Sequence, residues 1–194
     1  MKHVPYLALL IPWTLSADAI SVGFRGGVPL SDAFSTSTSN LIRYRSIPKR
    51  YTFGHTFQIH LPAGLGITFD ALYRKASYEE QTGSGAAVER SGTRWDFPLM
   101  GRYHFGKANV KPFVAAGYSF HRLSPSLVSD PKAFVRKTDK GIVFGAGLEL
   151  KGAGFRLMPE FRYTRHDGDS FRQAAGSLIR ANPNQIDFLV GLTF

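Results

Sequence analysis

The chain has 194 residues, of which 43% are hydrophobic, and carries a formal net charge of +10. This length fits one domain, and outside the N-terminus no stretch approaches the roughly 18 apolar residues of a transmembrane helix. Cysteine is absent, which excludes a disulfide framework and a thiolate metal site. The 16 phenylalanines, 8 tyrosines and 20 glycines favour strands and tight turns over helices.

The first residues have the layout of a secretory signal peptide. Lys2 and His3 form a short basic region that precedes an apolar run and a small-residue site ending at Ala19. We predict cleavage after Ala19, so that residues 1–19 are the signal peptide and residues 20–194 form the mature domain. The alternative is a buried N-terminal helix or strand, which the two prolines of this segment would interrupt.

Beyond the signal peptide, hydrophobicity alternates with a period of two, which is the pattern of β-strands. A strand that crosses a bilayer needs about 9–11 residues, which is close to the length of each run. The predicted strands cover residues 20–28, 51–61, 65–73, 94–105, 114–121, 141–150, 155–164 and 185–194.

The connections between these strands alternate in length. The short ones have turn chemistry and cover residues 62–64, 106–109 and 151–154. The long polar ones cover residues 31–50, 75–93, 122–140 and 165–184. A soluble domain rarely carries so many long loops, whereas short turns at one end and long loops at the other are typical of outer-membrane barrels.

One face of each predicted strand collects charged residues interspersed with glycines. Long and small side chains mixed in this way suit the narrow lumen of an eight-stranded barrel. We therefore predict that these charges form a lumen network: Arg25, Asp70, Arg74, Arg94, Asp96, Arg102, Glu149, Glu160, Arg162 and Asp187.

The other face is apolar, with large aromatic residues near the strand ends. Such residues are expected as girdles at the two membrane interfaces: Tyr51, Tyr73, Trp95, Tyr103, Phe105, Tyr163 and Phe194. With this face toward lipid, every backbone group must find an internal partner, so the sheet must close. The predicted fold is all-β, an eight-stranded antiparallel up-and-down transmembrane β-barrel in the bacterial outer membrane, with short periplasmic turns and long extracellular loops.

Three segments carry a family resemblance. The final segment, residues 185–194, alternates and ends in Phe194, and it resembles the C-terminal strand of outer-membrane barrels; residues 95–105 and 111–120 look like the fourth and fifth strands of the OmpA/OmpX-like small β-barrel family. The resemblance implies delivery by periplasmic chaperones and insertion by the barrel-assembly machinery, with Phe194 as the recognition residue. We expect a monomer.

Three functions are compatible with this pattern. The first is a non-enzymatic barrel with a structural or surface-interaction role, or a narrow gated pore, since buried ions must pair. The second is a lipid A modifying enzyme of deacylase or acyltransferase type, with His121 beside Ser124, or His166 beside Asp167 and Ser170, near the outer strand ends. The third is a soluble lipocalin-like barrel with its apolar face inward.

Basic residues are concentrated in two of the long loops. They would face lipopolysaccharide above the outer leaflet, and the alternative is a solvated loop with no fixed partner. The residues are Arg43, Arg45, Lys49, Arg50, Lys132, Arg136 and Lys137.

His55 is expected on the lipid face near the outer end of its strand. We predict no nucleic-acid partner, because the signal peptide argues against one and no recognised nucleic-acid motif is present. We also predict no metal site, because the histidines are scattered, and no cofactor.

Overall fold

In a computed structural model, the backbone is described for residues 19–31, 34–35, 37–38, 42–47, 51–82, 88–106, 108–123, 138–167 and 180–194. The predicted signal peptide, apart from Ala19, lies outside these residues. The strands of the described part are β1 (Ile20–Pro29), β2 (Phe34–Ser35), β3 (Ser37–Thr38), β4 (Ile42–Ile47), β5 (Thr52–His60), β6 (Leu65–Thr82), β7 (Val88–His104), β8 (Val110–Leu123), β9 (Thr138–Lys151), β10 (Arg156–His166), β11 (Arg180–Ala181) and β12 (Asn184–Thr193).

Eight of these strands close into a ring in which every neighbouring pair is antiparallel. The order around the ring is β1, β5, β6, β7, β8, β9, β10, β12 and back to β1. Closure extends to the last residue, because the Val22 and Phe194 N–H groups donate to each other's carbonyl oxygens over 3.3 and 3.0 Å. The predicted eight-stranded up-and-down barrel is confirmed, and closure leaves no open edge in hydrocarbon.

Three tight turns join strands at one end of the barrel, as predicted. A short 3-10 turn at Pro62–Gly64 links β5 to β6, with Ala63 at φ 61° and Gly64 at φ 79°. The other two turns place Gly106 at φ 80° and Gly154 at φ 85°. Glycine adopts this left-handed backbone conformation without steric cost, so the chain reverses within a few residues. We call this the short-turn end and the opposite end the long-loop end.

At the long-loop end the prediction of polar loops is partly wrong. Residues 75–93 are mostly strand, since β6 runs to Thr82 and pairs with β7 up to the Glu80–Val88 pair. Strand β4, inside the predicted loop 31–50, pairs with this extension of β6. Strands outside the membrane need no apolar face, so their hydrophobicity does not alternate and their polarity resembles that of a loop.

The two faces of the barrel wall are oriented as predicted, with apolar side chains outward. Phe24, Tyr118 and Phe161 are each 60% exposed, whereas Arg25, next to Phe24, is 1% exposed. This is the reverse of a soluble barrel, whose apolar face forms the core, and it rules out the lipocalin-like alternative. No helix in the described residues is long and apolar enough to cross a membrane.

Candidate functional site

The ten charged residues predicted to share the lumen all lie inside the barrel, with at most 7% of their surface exposed. The structure divides them into three tiers along the barrel axis. The middle tier contains Arg25, Asp70, Arg102, Glu160 and Arg162, and the outer tier, toward the long-loop end, contains Arg74, Arg94, Asp96 and Asp187. Glu149 belongs to a third tier at the short-turn end.

The middle tier centres on the carboxylate of Glu160 on β10. One of its oxygens accepts hydrogen bonds from Arg25 on β1 and, over 3.2 Å, from Arg102 on β7. The other oxygen accepts from Arg162 over 2.8 Å. Arg162 also donates to Asp70 on β6 over 2.8 Å. Charges from four strands therefore meet across the lumen, and each buried ion has a partner, as burial requires.

The outer tier balances two arginines against two aspartates. Arg74 donates to both carboxylate oxygens of Asp187 over 3.1 Å each, and its Nε lies 2.8 Å from Asp96. Arg94 donates to the other oxygen of Asp96 over 2.7 Å and lies 3.0 Å from His166 Nε2. The tier encloses a cavity of about 10 Å³, which is room for about one water molecule.

The tier at the short-turn end is built around Glu149. Its carboxylate lies 3.2 Å from His104 Nε2 and 4.0 Å from Lys111 Nζ. Beside it, Arg156 lies 2.7 Å from His60 Nε2. His104 lies on β7 and Lys111 on β8, and only the closed barrel brings both to the same carboxylate.

A set of apolar side chains, which we call the apolar layer, also points into the lumen and was not singled out from the sequence. Its members are each at most 1% exposed: Leu72, Met100, Phe113, Val143, Met158 and Leu189. The guanidinium of Arg102 lies 4.1 Å from the centre of the Phe113 ring, and Arg102 also donates to the sulfur of Met158 over 3.1 Å. The alternation of side chains along a strand could have identified some of them. Leu72 and Met158 each stand two residues from a buried charge and therefore lie on the same face of the strand.

The two histidines considered for catalysis lie on the inner wall. His121 and His166 are 7% and 6% exposed, and their ring centroids are 4.4 Å apart. Ser124 and Ser170 lie outside the described residues. Among the described residues, no group of three His, Asp or Glu side chains is placed to hold a metal ion.

The predicted girdle residues lie on the outer wall. Near the long-loop end the Tyr73 ring lies between two others, and its centroid is 5.2 Å from that of Phe53 and 5.4 Å from that of Trp95. At the short-turn end Tyr103 and Phe105 meet edge to face at 4.9 Å. The remaining members, Tyr51, Tyr163 and Phe194, are exposed or half-buried on the same wall.

His55 also lies on the outer wall, tilted against the Phe24 ring at 5.1 Å. The side chains of the predicted basic loop residues lie outside the described part of the chain: Arg43, Arg45, Lys49, Arg50, Lys132, Arg136 and Lys137.

A closed eight-stranded ring with an apolar exterior and an ionic interior defines the class of small transmembrane β-barrels. The chain belongs to the outer membrane protein beta-barrel domain family, whose sequence model matches residues 16–166. It is therefore a bacterial outer-membrane protein, and the resemblance to OmpA/OmpX-like small barrels is confirmed.

Among solved structures, OprG supports the fold, and two other outer-membrane proteins are similar to this chain only at lower TM-scores. The outer membrane protein OprG from Pseudomonas aeruginosa is similar at 13% identity and a TM-score of 0.57, over 90% of this chain and 94% of that one. Ail of Yersinia pestis, solved with the heparin analogue sucrose octasulfate, is 11% identical over 90% and 94% of the two chains, at a TM-score of 0.39. The NanC porin is 14% identical over 91% of this chain and 99% of that one, at a TM-score of 0.30. A search of curated protein sequences finds no significant match.

Proposed function

We propose that this protein is a non-enzymatic outer-membrane scaffold whose lumen is sealed by its own ion pairs and whose long-loop end serves surface interactions. The observation that carries the proposal is the middle tier, in which arginines of β1, β7 and β10 share the Glu160 carboxylate. Removing one partner of a buried pair costs several kcal/mol, so the tier resists opening.

The apolar layer supports a sealed lumen. Phe113 and Met158, both at most 1% exposed, occupy the space beside Arg102. An eight-stranded barrel leaves an interior just wide enough for side chains to fill. With the three ionic tiers and this layer in place, we expect no continuous path for a hydrated ion.

A surface role is supported by the extended sheet at the long-loop end. There β6 and β7 continue past the inner charges at Arg74 and Arg94, and β4 pairs with the β6 extension. Basic residues of the neighbouring segments would face lipopolysaccharide, and outer-membrane lipid surrounds the wall. Periplasmic chaperones and the assembly machinery remain the proposed partners during biogenesis, and the folded barrel is proposed to be a monomer.

The non-enzymatic part of the proposal rests on the positions of His121 and His166. Both rings face the lumen, whereas a base that acts on a lipid must reach the membrane side or the rim. His166 lies in an interior polar network, with Arg94 and Gln185 at 3.0 and 3.3 Å from its Nε2.

Planar-bilayer recording tests whether the lumen is sealed. We expect no conductance steps for the wild type, nor for Glu149→Ala, which leaves the middle tier intact. Arg102→Ala is expected to give small steps, because it empties the space over Phe113 and removes one arginine from Glu160. Lys151→Ala, exposed at the short-turn end, is the control. Steady conductance by the wild type would contradict the proposal and favour a narrow pore.

A further inference from the structure

Three basic residues face outward on consecutive strands at the long-loop end. Arg122 on β8, Lys140 on β9 and Arg165 on β10 are all exposed. Each stands next to a buried residue of the inner face, His121, Gly141 and His166 respectively. Because side chains alternate along a strand, these cations lie on the lipid-facing side of the wall. None of them is among the seven basic loop residues named above, whose side chains lie outside the described part of the chain.

The strand register brings the three cations close together. Lys140 lies opposite Phe120, two residues from Arg122, and Arg165 lies opposite Ile142, two residues from Lys140. Each cation is thus the diagonal neighbour of the next, at about 7–8 Å for such positions on one face of a sheet. Their long side chains are within reach of one anionic group placed between them.

Aromatic residues mark the height of this cluster in the membrane. Trp95 lies directly opposite Arg122, and Tyr163 stands two residues from Arg165 on the membrane side. Tyrosine and tryptophan concentrate at the headgroup level of outer-membrane barrels. The cluster therefore lies where the phosphate groups of outer-leaflet lipids are found.

The outward cations are unevenly distributed around the barrel, and Lys75 on β6, two residues beyond Tyr73, is a further one. Within the described residues, the outward positions of β1, β5 and β12 carry no lysine or arginine. The acidic neighbour of the cluster is Asp167, exposed and hydrogen-bonded through its backbone N–H to the Lys140 carbonyl over 3.0 Å. Around the cluster, basic side chains therefore outnumber acidic ones among the residues that the structure describes.

We propose that Arg122, Lys140 and Arg165 form a binding site on the lipid-facing wall for the phosphate groups of lipid A. Cations near a membrane surface attract anionic lipid, each by roughly 1 kcal/mol, and arginine binds phosphate with several donors at once. The site is independent of whether the lumen conducts, since it lies on the opposite face of the same strands.

The test compares the wild type with the triple variant Arg122→Gln, Lys140→Gln, Arg165→Gln, and with Lys151→Gln as a matched control at the other end. Each protein is reconstituted in vesicles with lipid A or with dephosphorylated lipid A, and bound lipid A is counted by native mass spectrometry. We expect the triple variant to bind lipid A on the order of a hundredfold more weakly. Lys151→Gln should bind as the wild type does.

Two further measurements keep the result interpretable. Heat-modifiable migration in vesicles of dephosphorylated lipid A shows that the triple variant folds as the wild type does. Equal binding of lipid A by the triple variant and the wild type, or equal wild-type binding of both lipids, would overturn the proposal. If inorganic phosphate competes with lipid A as well as lipid A competes with itself, the site binds phosphate in general and the assignment to lipid A is wrong.

Discussion

Gly145 leaves the space that the carboxylate of Glu160 occupies: a Cβ atom at position 145 would lie 2.6 Å from Glu160 Oε1. That oxygen accepts from Arg162 over 2.8 Å, while the other is held by Arg25 and Arg102. The carboxylate therefore cannot move aside without losing partners. The absence of a side chain at Gly145 is what allows the carboxylate to occupy this position.

We predict that Gly145→Ala lowers the free energy of unfolding by about 1–3 kcal/mol, the usual cost of overpacking. Gly101→Ala is the matched control, because its Cβ would meet nothing closer than the Ala116 carbonyl oxygen at 3.8 Å. Urea unfolding in vesicles measures both. Equal stability of the two variants would show that Glu160 can move aside without cost.

Glu160→Gln should be the most destabilising single change in the middle tier. Three buried arginines would lose their shared negative charge, at a cost of about 3–5 kcal/mol. Glu149→Gln should cost less, because Glu149 pairs with a histidine and with Lys111 at 4.0 Å. The same unfolding measurement ranks the two variants, and a larger loss for Glu149→Gln would contradict the role given to the middle tier.

Phe194→Ala should slow assembly in cells without lowering the stability of the folded barrel. The Phe194 side chain is 63% exposed, and closure uses only its backbone, paired with Val22. Phe161→Ala removes a ring of similar exposure, 60%, from the middle of the wall and is expected to assemble at the wild-type rate. Pulse-chase gel-shift assays give the assembly rate, and an equal delay for both variants would argue against a special role of the last residue.

Expression of the protein should leave the mass profile of lipid A unchanged, and His166→Ala should give the same profile. The reason is that His166 faces the lumen, 6% exposed, and not the lipid. Mass spectrometry of lipid A from cells with and without the gene provides the measurement. A profile that loses or gains an acyl chain with the wild type, but not with His166→Ala, would identify an enzyme.

Sequence alternation predicted the barrel well because each membrane strand presents one face to lipid and one to the lumen. It placed Arg25 and Glu160 on inner faces 135 residues apart without indicating that they touch. Polar strands beyond the membrane, such as the outer parts of β6 and β7, carried no such alternation, and they were predicted as loops.

The sequence by itself determined the number of barrel strands, the three tight turns and the face of each strand that turns away from lipid, because these depend on local spacing and turn chemistry. Only the tertiary structure decided which charges pair, and that Phe113 and Met158 enter the lumen beside Arg102. Pairing across a closed ring depends on strand register and on the curvature of the sheet, which bring residues distant in the chain to the same height. Neither property can be predicted from the sequence of one strand.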